Sequence, residues 1–406
     1  MVVGASAAGL LAGIFAGRAG AEVLLLETRP KPGAKIRVSG GGRCNLLPSE
    51  AVPEDFHTGG AARAMRNVLL SWPLPEVRAF FESELAIPLK VEDTGKVFPR
   101  SERPLDIVEA LLSECSRLGV ELRTSSRVSS VKTTRSGFEV ALADADPIRA
   151  DRVILATGGL SLPKTGSDGG GYRLARSLGH KLAPTFPVLV PLTTADRAWL
   201  ALPGVSLPVT LRARREGSFV HERTGSFLFT HRGFSGPVVL DISRALTSAP
   251  ANDVTLEAHW GGPTTDWPAR LRTPGRVTVG SIVREALPRR LADLLLDRAG
   301  VPPESRLAEL PRENRNILER ELSACVLPIE GNEGYRTAEA TGGGIPLDEL
   351  RTKTLESRKN PGLHFAGEII DVDGRIGGYN FLWAFVTGRR AGQAAARDLR
   401  EPRMNG

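Results

Sequence analysis

Cysteine is scarce in this 406-residue chain: Cys44, Cys115 and Cys325 are too few and too scattered for a disulfide framework or a zinc site. No metal site is expected, and a reducing cytoplasm fits. Long apolar runs are also missing. Stretches such as Val23–Leu26 and Val188–Val190 fall far short of the roughly 20 residues that span a bilayer. The start lacks the basic, apolar and cleavage regions of a secretory leader, and there is no internal repeat or low-complexity tract. Lysine is rare beside arginine, 9 against 44. What is present is ordinary globular material, 41% hydrophobic and 24% charged, in a chain long enough for two or three domains. The net charge of +7 and pI near 9.6 suit a polyanionic partner, although a bound pyrophosphate would absorb part of that charge.

Along the chain, Met1–Val3 reads as the end of a buried strand, and a full first strand would have two or three more residues upstream. Gly4 to Gly20 has helical spacing, and Glu22–Leu26 is an apolar strand ending at Glu27, so the start is a β-α-β unit. Pro73–Leu85 and Leu105–Leu118 read as amphipathic helices. Val120–Thr124, Arg127–Thr133 and Gly137–Leu142 read as short strands, and Arg152–Ala156 as a buried one. From about Val190 the texture changes to short alternating strands with no clear long helix. Helices over Ser281–Asp297 and Asn314–Cys325 follow. The α/β texture returns at Gly362–Ala366, with a helix from about Tyr379 to Leu399. The expected organisation is one α/β domain, 1–190 plus 336–406, interrupted by an insert over 191–335. Within the insert, 191–268 is the β-barrel-like part and 269–335 the mainly helical part.

Gly4-Ala5-Ser6-Ala7-Ala8-Gly9 sits between a strand and a helix, and Glu27 follows at the end of the next strand. Gly4 permits a tight turn, and a small residue at position 6 lets backbone approach a pyrophosphate. Gly9 lets helix and strand pack closely, and the helix N-terminus offers free N–H groups to the phosphates. Glu27, next to Thr28, can accept hydrogen bonds from adenosine ribose hydroxyls and would repel a 2′-phosphate. Ser6 departs from the usual second glycine. This is a Rossmann-like dinucleotide fingerprint, and three further segments favour FAD over NAD. Lys35 to Asn45 includes Ser39, Gly40, Gly41, Gly42, Arg43 and Cys44, where glycines let backbone pass a flat ligand and Arg43 can meet phosphate charge. Ala156-Thr157-Gly158-Gly159 ends a strand. Gly367-Glu368 to Asn380, with Asp371, Gly377, Gly378 and Tyr379, is a second strand-to-helix turn whose N–H groups would stabilise charge on a reduced flavin.

Lys35–Asn45, Ala156–Tyr172, Leu228–Pro237 and Gly362–Asn380 with Trp383-Ala384 together resemble the BaiN/RdsA-type family of NAD(P)H- and FAD-linked flavoproteins, also called aminoacetone-oxidase-like. The resemblance covers nearly the whole chain. It implies an FAD-binding domain of the glutathione-reductase type with an inserted β-barrel and helical subdomain; from the change in texture at both boundaries, the insert is expected to face substrate. Val128 joins the expected cofactor contacts. The resemblance also brings several chemistries: rRNA dihydrouridine synthesis, reduction of conjugated C=C bonds in steroid-like substrates, and aerobic oxidation of amino-ketones.

FAD carries the redox chemistry in such a protein. No second strand-linked glycine fingerprint occurs, so NAD(P)H is expected to visit the flavin face transiently. Reduction of uridine to dihydrouridine in 23S rRNA is the first choice. A small-molecule oxidase or enone reductase, and a non-catalytic FAD-stabilised binding protein, stay open. The insert carries 18 Arg against 17 Asp plus Glu, so it is not a strongly basic RNA cassette. Candidate acids are Cys44, in the loop expected to cross the cofactor, and His231; Tyr379 is the third catalytic candidate. Each has a plain structural alternative: a packed loop thiol, a structural histidine, a ring contact.

Overall fold

In this computed structural model the described residues are 1–250, 253–272 and 277–400. Residues 251–252, 273–276 and 401–406, which the expected domain ranges enclose, lie outside them. The chain divides into two compact units, Met1–Phe186 with Glu339–Gly406, and Pro187–Ala338.

The first unit is built on a sheet whose centre is Val2–Val3. It pairs in parallel with Leu24–Leu26 on one side and Val153–Leu155 on the other. Glu121–Arg123 and Leu363–Phe365 extend the parallel set, and Glu356–Ser357 and Leu350–Arg351 close one edge antiparallel. The central strands are buried on both faces, as parallel strands covered by helices must be. The helix Ala7–Arg18 packs on the last helix, Tyr379–Arg400, through small residues. A Cβ on Gly388 would lie 2.3 Å from the Ala8 carbonyl oxygen, and one on Gly392 equally close to that of Ala12. Backbone contact at that range is open only to glycine, and it holds the C-terminal segment against the fingerprint helix.

The helix Pro104–Arg117 is tied to this pair by charge. Arg117 Nε lies 2.7 Å from Glu114, and Arg18 donates to the same carboxylate. Hydrogen bonding from Arg117, then Arg18, holds Glu114 down at about 2, against 4.5 unfolded. A lowered folded value means that the stabilisation is present above the unfolded value and is lost as pH falls through the folded one. Glu114→Gln should therefore melt below the parent at neutral pH. The difference should shrink towards pH 2; melting curves across that range check it.

The second unit carries an antiparallel sheet in the order Cys325–Val326, Val254–Trp260, Ser206–Arg215, Ser218–Thr230, Gly233–Ser235, Leu192–Thr193, Gly331–Asn332. Seven flat strands would separate the edges by about 29 Å. The five-residue step from Val326 to Gly331 reaches at most about 18 Å, so the sheet curls. Its interior is aromatic: Trp199, Phe227, Phe229, Phe234 and Trp260 are buried together.

Several elements differ from the sequence reading. A helix, Pro237–Thr247, stands within the stretch read as strands, with Val238, Val239 and Ile242 buried. Ser281–Asp297 is two helices, Val279–Ala286 and Arg289–Arg298, because Pro288 cannot continue the first. The second expected helix stops at Ser323 and Cys325 begins the edge strand Cys325–Val326, so β structure returns after the helical stretch. The glycine-rich segment after Glu27 begins as a helix, Ala34–Gly42, broken at Ser39, Gly40 and Gly41.

Candidate active site

Four segments of the first unit sit at the carboxyl ends of four adjacent parallel strands. They begin at Gly4, Glu27, Ala156 and Ala366, and the sheet's hydrogen bonds continue into each. Gly4 N donates to Leu26 O (2.7 Å) and Glu27 N to Arg123 O (2.8 Å). Ala156 N donates to Val3 O (2.9 Å) and Ala366 N to Leu155 O (3.0 Å). Four strand-end turns are thereby held side by side, where open α/β sheets bind ligands.

The glycines there have individual causes. Gly4 has φ +101°, and a Cβ on it would meet the Ala156 carbonyl oxygen at 2.5 Å. One on Gly9 would lie 1.7 Å from the Gly4 carbonyl oxygen. Glu27 is nearly buried, and its two carboxylate oxygens each accept one backbone N–H, from Ala5 and from Arg29, both at 2.8 Å. Each oxygen keeps a further lone pair that can accept another donor. Val128 starts the strand Val128–Thr134, which follows the Ser126 N to Glu27 O bond.

The 35–45 segment and the Gly367–Asn380 segment meet this edge. Lys35 Nζ donates to Ser161 Oγ (2.7 Å) and pairs with Glu368, while Ser161 Oγ donates to Glu368 Oε1 (2.6 Å). Thr341 Oγ1 accepts from the N–H groups of Leu160 and Ser161 (2.9 and 3.0 Å), and Gly159 passes so close that a Cβ would meet that hydroxyl at 2.6 Å. Ser161 and Thr341 were not among the residues expected from sequence, although each adjoins a glycine run. Gly367 N donates to Thr387 Oγ1 (2.9 Å), and Trp383 Nε1 to Gly367 O (3.2 Å). Asn380 exchanges two hydrogen bonds with the Gly374 backbone, and Asp371 accepts from Gly59 N (3.0 Å). Gly377 and Gly378 have φ +117° and +94°, and a Cβ on Gly378 would strike the Leu47 backbone.

The chemistry of this edge fits FAD. Asn45 Oδ1 and Thr157 Oγ1 are buried without a hydrogen-bond partner, a condition native proteins seldom leave unanswered. Both belong to segments expected to cross the cofactor. Cβ atoms on Gly41 and Gly42 would meet nothing within 4 Å, so backbone is open there.

The other candidates are placed as follows. Arg43 turns to protein carboxylates, 2.7 Å from Glu92 and 3.5 Å from Glu102, with its guanidinium 4.3 Å from the Phe98 ring centre. Cys44 has no exposed surface and φ +61°. Burial pushes its thiol up to about 12, Ser39 offsetting part of the rise. Tyr379 is half-buried at the start of the last helix, its ring 5.7 Å from Phe56. His231 belongs to the second unit, exposed in the turn between Ser218–Thr230 and Gly233–Ser235.

A Rossmann-type α/β fold with such strand ends defines an FAD-dependent oxidoreductase, and the comparisons with known proteins agree. Residues 1–394 match the HI0933-like protein Rossmann domain, and the chain belongs to that family. It is 34% identical over 405 residues to the 3-dehydro-bile acid delta(4,6)-reductase of Clostridium scindens, covering 97% of this chain and 98% of that one. To the ribosomal RNA dihydrouridine synthase of Escherichia coli it is 33% identical over 415 residues, covering 98% and 97%. In fold it is similar to the 3-ketosteroid-delta4-(5alpha)-dehydrogenase of Rhodococcus jostii, with a TM-score of 0.52, 16% identity, and 97% and 96% of the two chains covered. A flavocytochrome c3 fumarate reductase gives a TM-score of 0.50 at 18% identity, over 98% and 78%. No helix among the described residues is long and apolar enough to cross a membrane.

Proposed function

We propose that this enzyme uses NAD(P)H to reduce an activated C=C bond, and that its substrate is a uridine of 23S rRNA, converted to 5,6-dihydrouridine in the cytoplasm. The observation that carries the reading is the set of four strand-end turns, in a chain similar over its whole length to an rRNA dihydrouridine synthase and to a bile acid reductase. Both names describe saturating a double bond conjugated to a carbonyl.

Gly4–Gly9 and the N-terminus of the helix that follows would hold the pyrophosphate, and Glu27 with Thr28 the adenosine ribose. Asn45 and Thr157 would give their unpartnered oxygens to cofactor hydroxyl or N–H groups. Ser39 to Gly42, Gly158-Gly159 and the Gly367–Asn380 turn would present backbone to the flavin. FAD supplies hydride transfer when bound. The protein must also orient the substrate carbonyl, exclude water and deliver one proton. The insert, about 191–335, would decide substrate choice, with His231 as an orienting group. A target base in folded RNA must be unstacked first, and the basic balance of the chain suits RNA.

A second reading, reduction of a small enone, is favoured by the near-cancelling charge of the insert and the 34% identity to the bile acid reductase. Mass analysis of 23S rRNA from cells with and without the gene separates the two. Loss of one dihydrouridine on deletion supports the RNA reading, and an unchanged RNA mass sinks it. Absence of any NAD(P)H turnover would favour a binding protein over both enzymes.

Cys44→Ser tests one role directly. With no exposed surface the thiol reaches no substrate, so turnover per bound flavin should equal the parent's. Seating a hydroxyl in that packed loop should lower the melting temperature, at a cost of about 1–3 kcal/mol. Normal bleaching by NAD(P)H with slowed reoxidation by substrate would instead make Cys44 the proton donor.

A further inference from the structure

The last helix of the first unit carries two consecutive arginines, Arg389 and Arg390, both half-buried. The Arg389 guanidinium lies over two aromatic rings, 4.7 Å from the centre of Trp72 and 5.5 Å from that of Phe15. Its Nε is sealed from solvent and has no hydrogen-bond partner. Among the described residues no carboxylate comes within ion-pair distance of it; Glu76 and Glu84 act on it only from farther away. Arg18 is the contrast. It lies over the same Phe15 ring, at 5.2 Å, and is given both Glu84 (2.6 Å) and Glu114 (2.5 Å). Arg390 donates from Nη1 to Thr352 O (2.5 Å) and from Nη2 to Asn67 O (3.5 Å), so two carbonyls hold it and no acid does. Two further cations flank the pair. Lys353 follows Thr352, and Arg63 stands one turn before Asn67 on the helix Ala62–Leu69. Both are exposed, and neither has an ion pair among the described residues.

We propose that Arg389 and Arg390 bind the phosphate backbone of the RNA substrate, with Arg63 and Lys353 extending the contact. The inference rests on the RNA reading of the preceding subsection. Two guanidiniums side by side, partly withdrawn from water and without an opposite charge, are costly to keep. The ring contacts offset part of that cost for Arg389 and leave its N–H groups unanswered. A guanidinium in that state presents a planar fork to an anion, and phosphate matches such a fork in shape and charge.

Three observations favour a polynucleotide over a lone phosphate group. The cations come from three segments, the last helix, the helix Ala62–Leu69 and the stretch after Arg351, and so suit a ligand with repeated charges. Two of the four are exposed, where a chain lying along the surface meets them. The chain as a whole carries a net charge of +7. Arg389 also stands ten residues after Tyr379 on one helix, about 15 Å along its axis. A strand held at Arg389 by its backbone therefore extends within a few nucleotides to the Gly367–Asn380 segment. Phosphate contacts position a nucleic acid without reading its sequence, so this site supplies affinity and placement and leaves the choice of base to the candidate active site.

The test uses the FAD-loaded full chain and two double variants, Arg389→Gln with Arg390→Gln and Arg389→Lys with Arg390→Lys. The probe is 23S rRNA from cells lacking the gene, and binding is titrated over a range of salt concentrations. In the Gln variant affinity at a fixed salt concentration should fall about 10- to 10²-fold. The slope of log K against log salt should become shallower by about 1.5, the share of two lost phosphate contacts. The Lys variant should keep most of the slope, because both charges remain. Flavin content and melting temperature establish that each variant is folded. If the double Gln variant loses flavin or melts early, Arg390→Gln alone carries the same test with about half the change in slope, since it leaves the ring contacts of Arg389 in place. A folded Gln variant with parental affinity and slope would overturn the proposal. So would parental RNA binding with slowed bleaching of the flavin by NAD(P)H, which would give the site to the phosphates of the reductant. Dihydrouridine formed by the parent is measured on the same RNA. A parent that forms none defeats the reading of the preceding subsection. A parent that forms it, beside a folded Gln variant that binds equally well, defeats the assignment of Arg389 and Arg390 alone.

Discussion

Gly9→Ala should yield a colourless and destabilised protein. A Cβ at this position would lie 1.7 Å from the carbonyl oxygen of Gly4, where real contacts stay above 3.0 Å. That oxygen cannot step aside. Gly4 is held by its N–H on Leu26 O at 2.7 Å and by a φ of +101°, and a Cβ on Gly4 itself would meet the Ala156 carbonyl at 2.5 Å. Relief has to come from the helix Ala7–Arg18 moving off the strand. The last helix packs closely beside it, with Gly388 and Gly392 against the Ala8 and Ala12 carbonyls, so a shift of one helix disturbs the other. Overpacking an ordinary core costs about 1–3 kcal/mol; here backbone meets backbone on two sides, and the upper end or beyond is expected. The strand-end turn would open and the pyrophosphate site would go with it. Gly179→Ala, outside the candidate site, is the control: nothing lies within 4 Å of its Cβ and only the φ of +84° is strained, a cost of about 1–2 kcal/mol. Flavin absorbance per protein after purification, with the melting temperature, reads both. A yellow Gly9→Ala protein with parental flavin content would refute the packing argument.

The features that could be read from sequence are those whose cause is local. A strand, a glycine turn, a helix and an acid at the next strand's end lie within 27 residues, so the fingerprint and Glu27 are visible without a fold. The same holds for Ala156–Gly159 and Gly367–Glu368, each a glycine pair or turn at the end of an apolar run. The seam of Gly388 and Gly392 was not visible, because a glycine does not announce which carbonyl it must approach. Nor was the Lys35–Ser161–Glu368 cluster, whose members are 126 and 333 residues from Lys35; only the sheet brings them together. Arg43 lies in the glycine-rich 35–45 segment, but its side-chain direction is set by Glu92, Glu102 and Phe98, which the segment does not contain. The helix Pro237–Thr247 escaped because its apolar face is short and lies among strands. The edge strands Cys325–Val326 and Gly331–Asn332 are too brief for any period to show.

Glu27→Ala is expected to weaken FAD binding by about 1–3 kcal/mol, roughly 5- to 150-fold, the range for leaving buried polar groups unpaired. The side chain has two tasks that the substitution removes together. It accepts the N–H groups of Ala5 and Arg29, both at 2.8 Å, and so joins the fingerprint turn to the end of the second strand. In the proposed reading it also offers a lone pair on each oxygen to the ribose hydroxyls, and its negative charge would disfavour a phosphate on the 2′ position. Glu27→Gln separates the tasks: one acceptor oxygen and the shape remain, while the charge is gone. The Gln variant should be more stable than the Ala variant. It should hold FAD better than Ala and worse than the parent. Titration of the flavin-stripped proteins with FAD, followed by flavin fluorescence, gives the three affinities, and melting of the same stripped proteins gives the structural share. If the Ala variant lost stability without FAD yet bound FAD as tightly as the parent, Glu27 would be a strut of the turn alone, and the ribose would have to find its partner elsewhere on that edge.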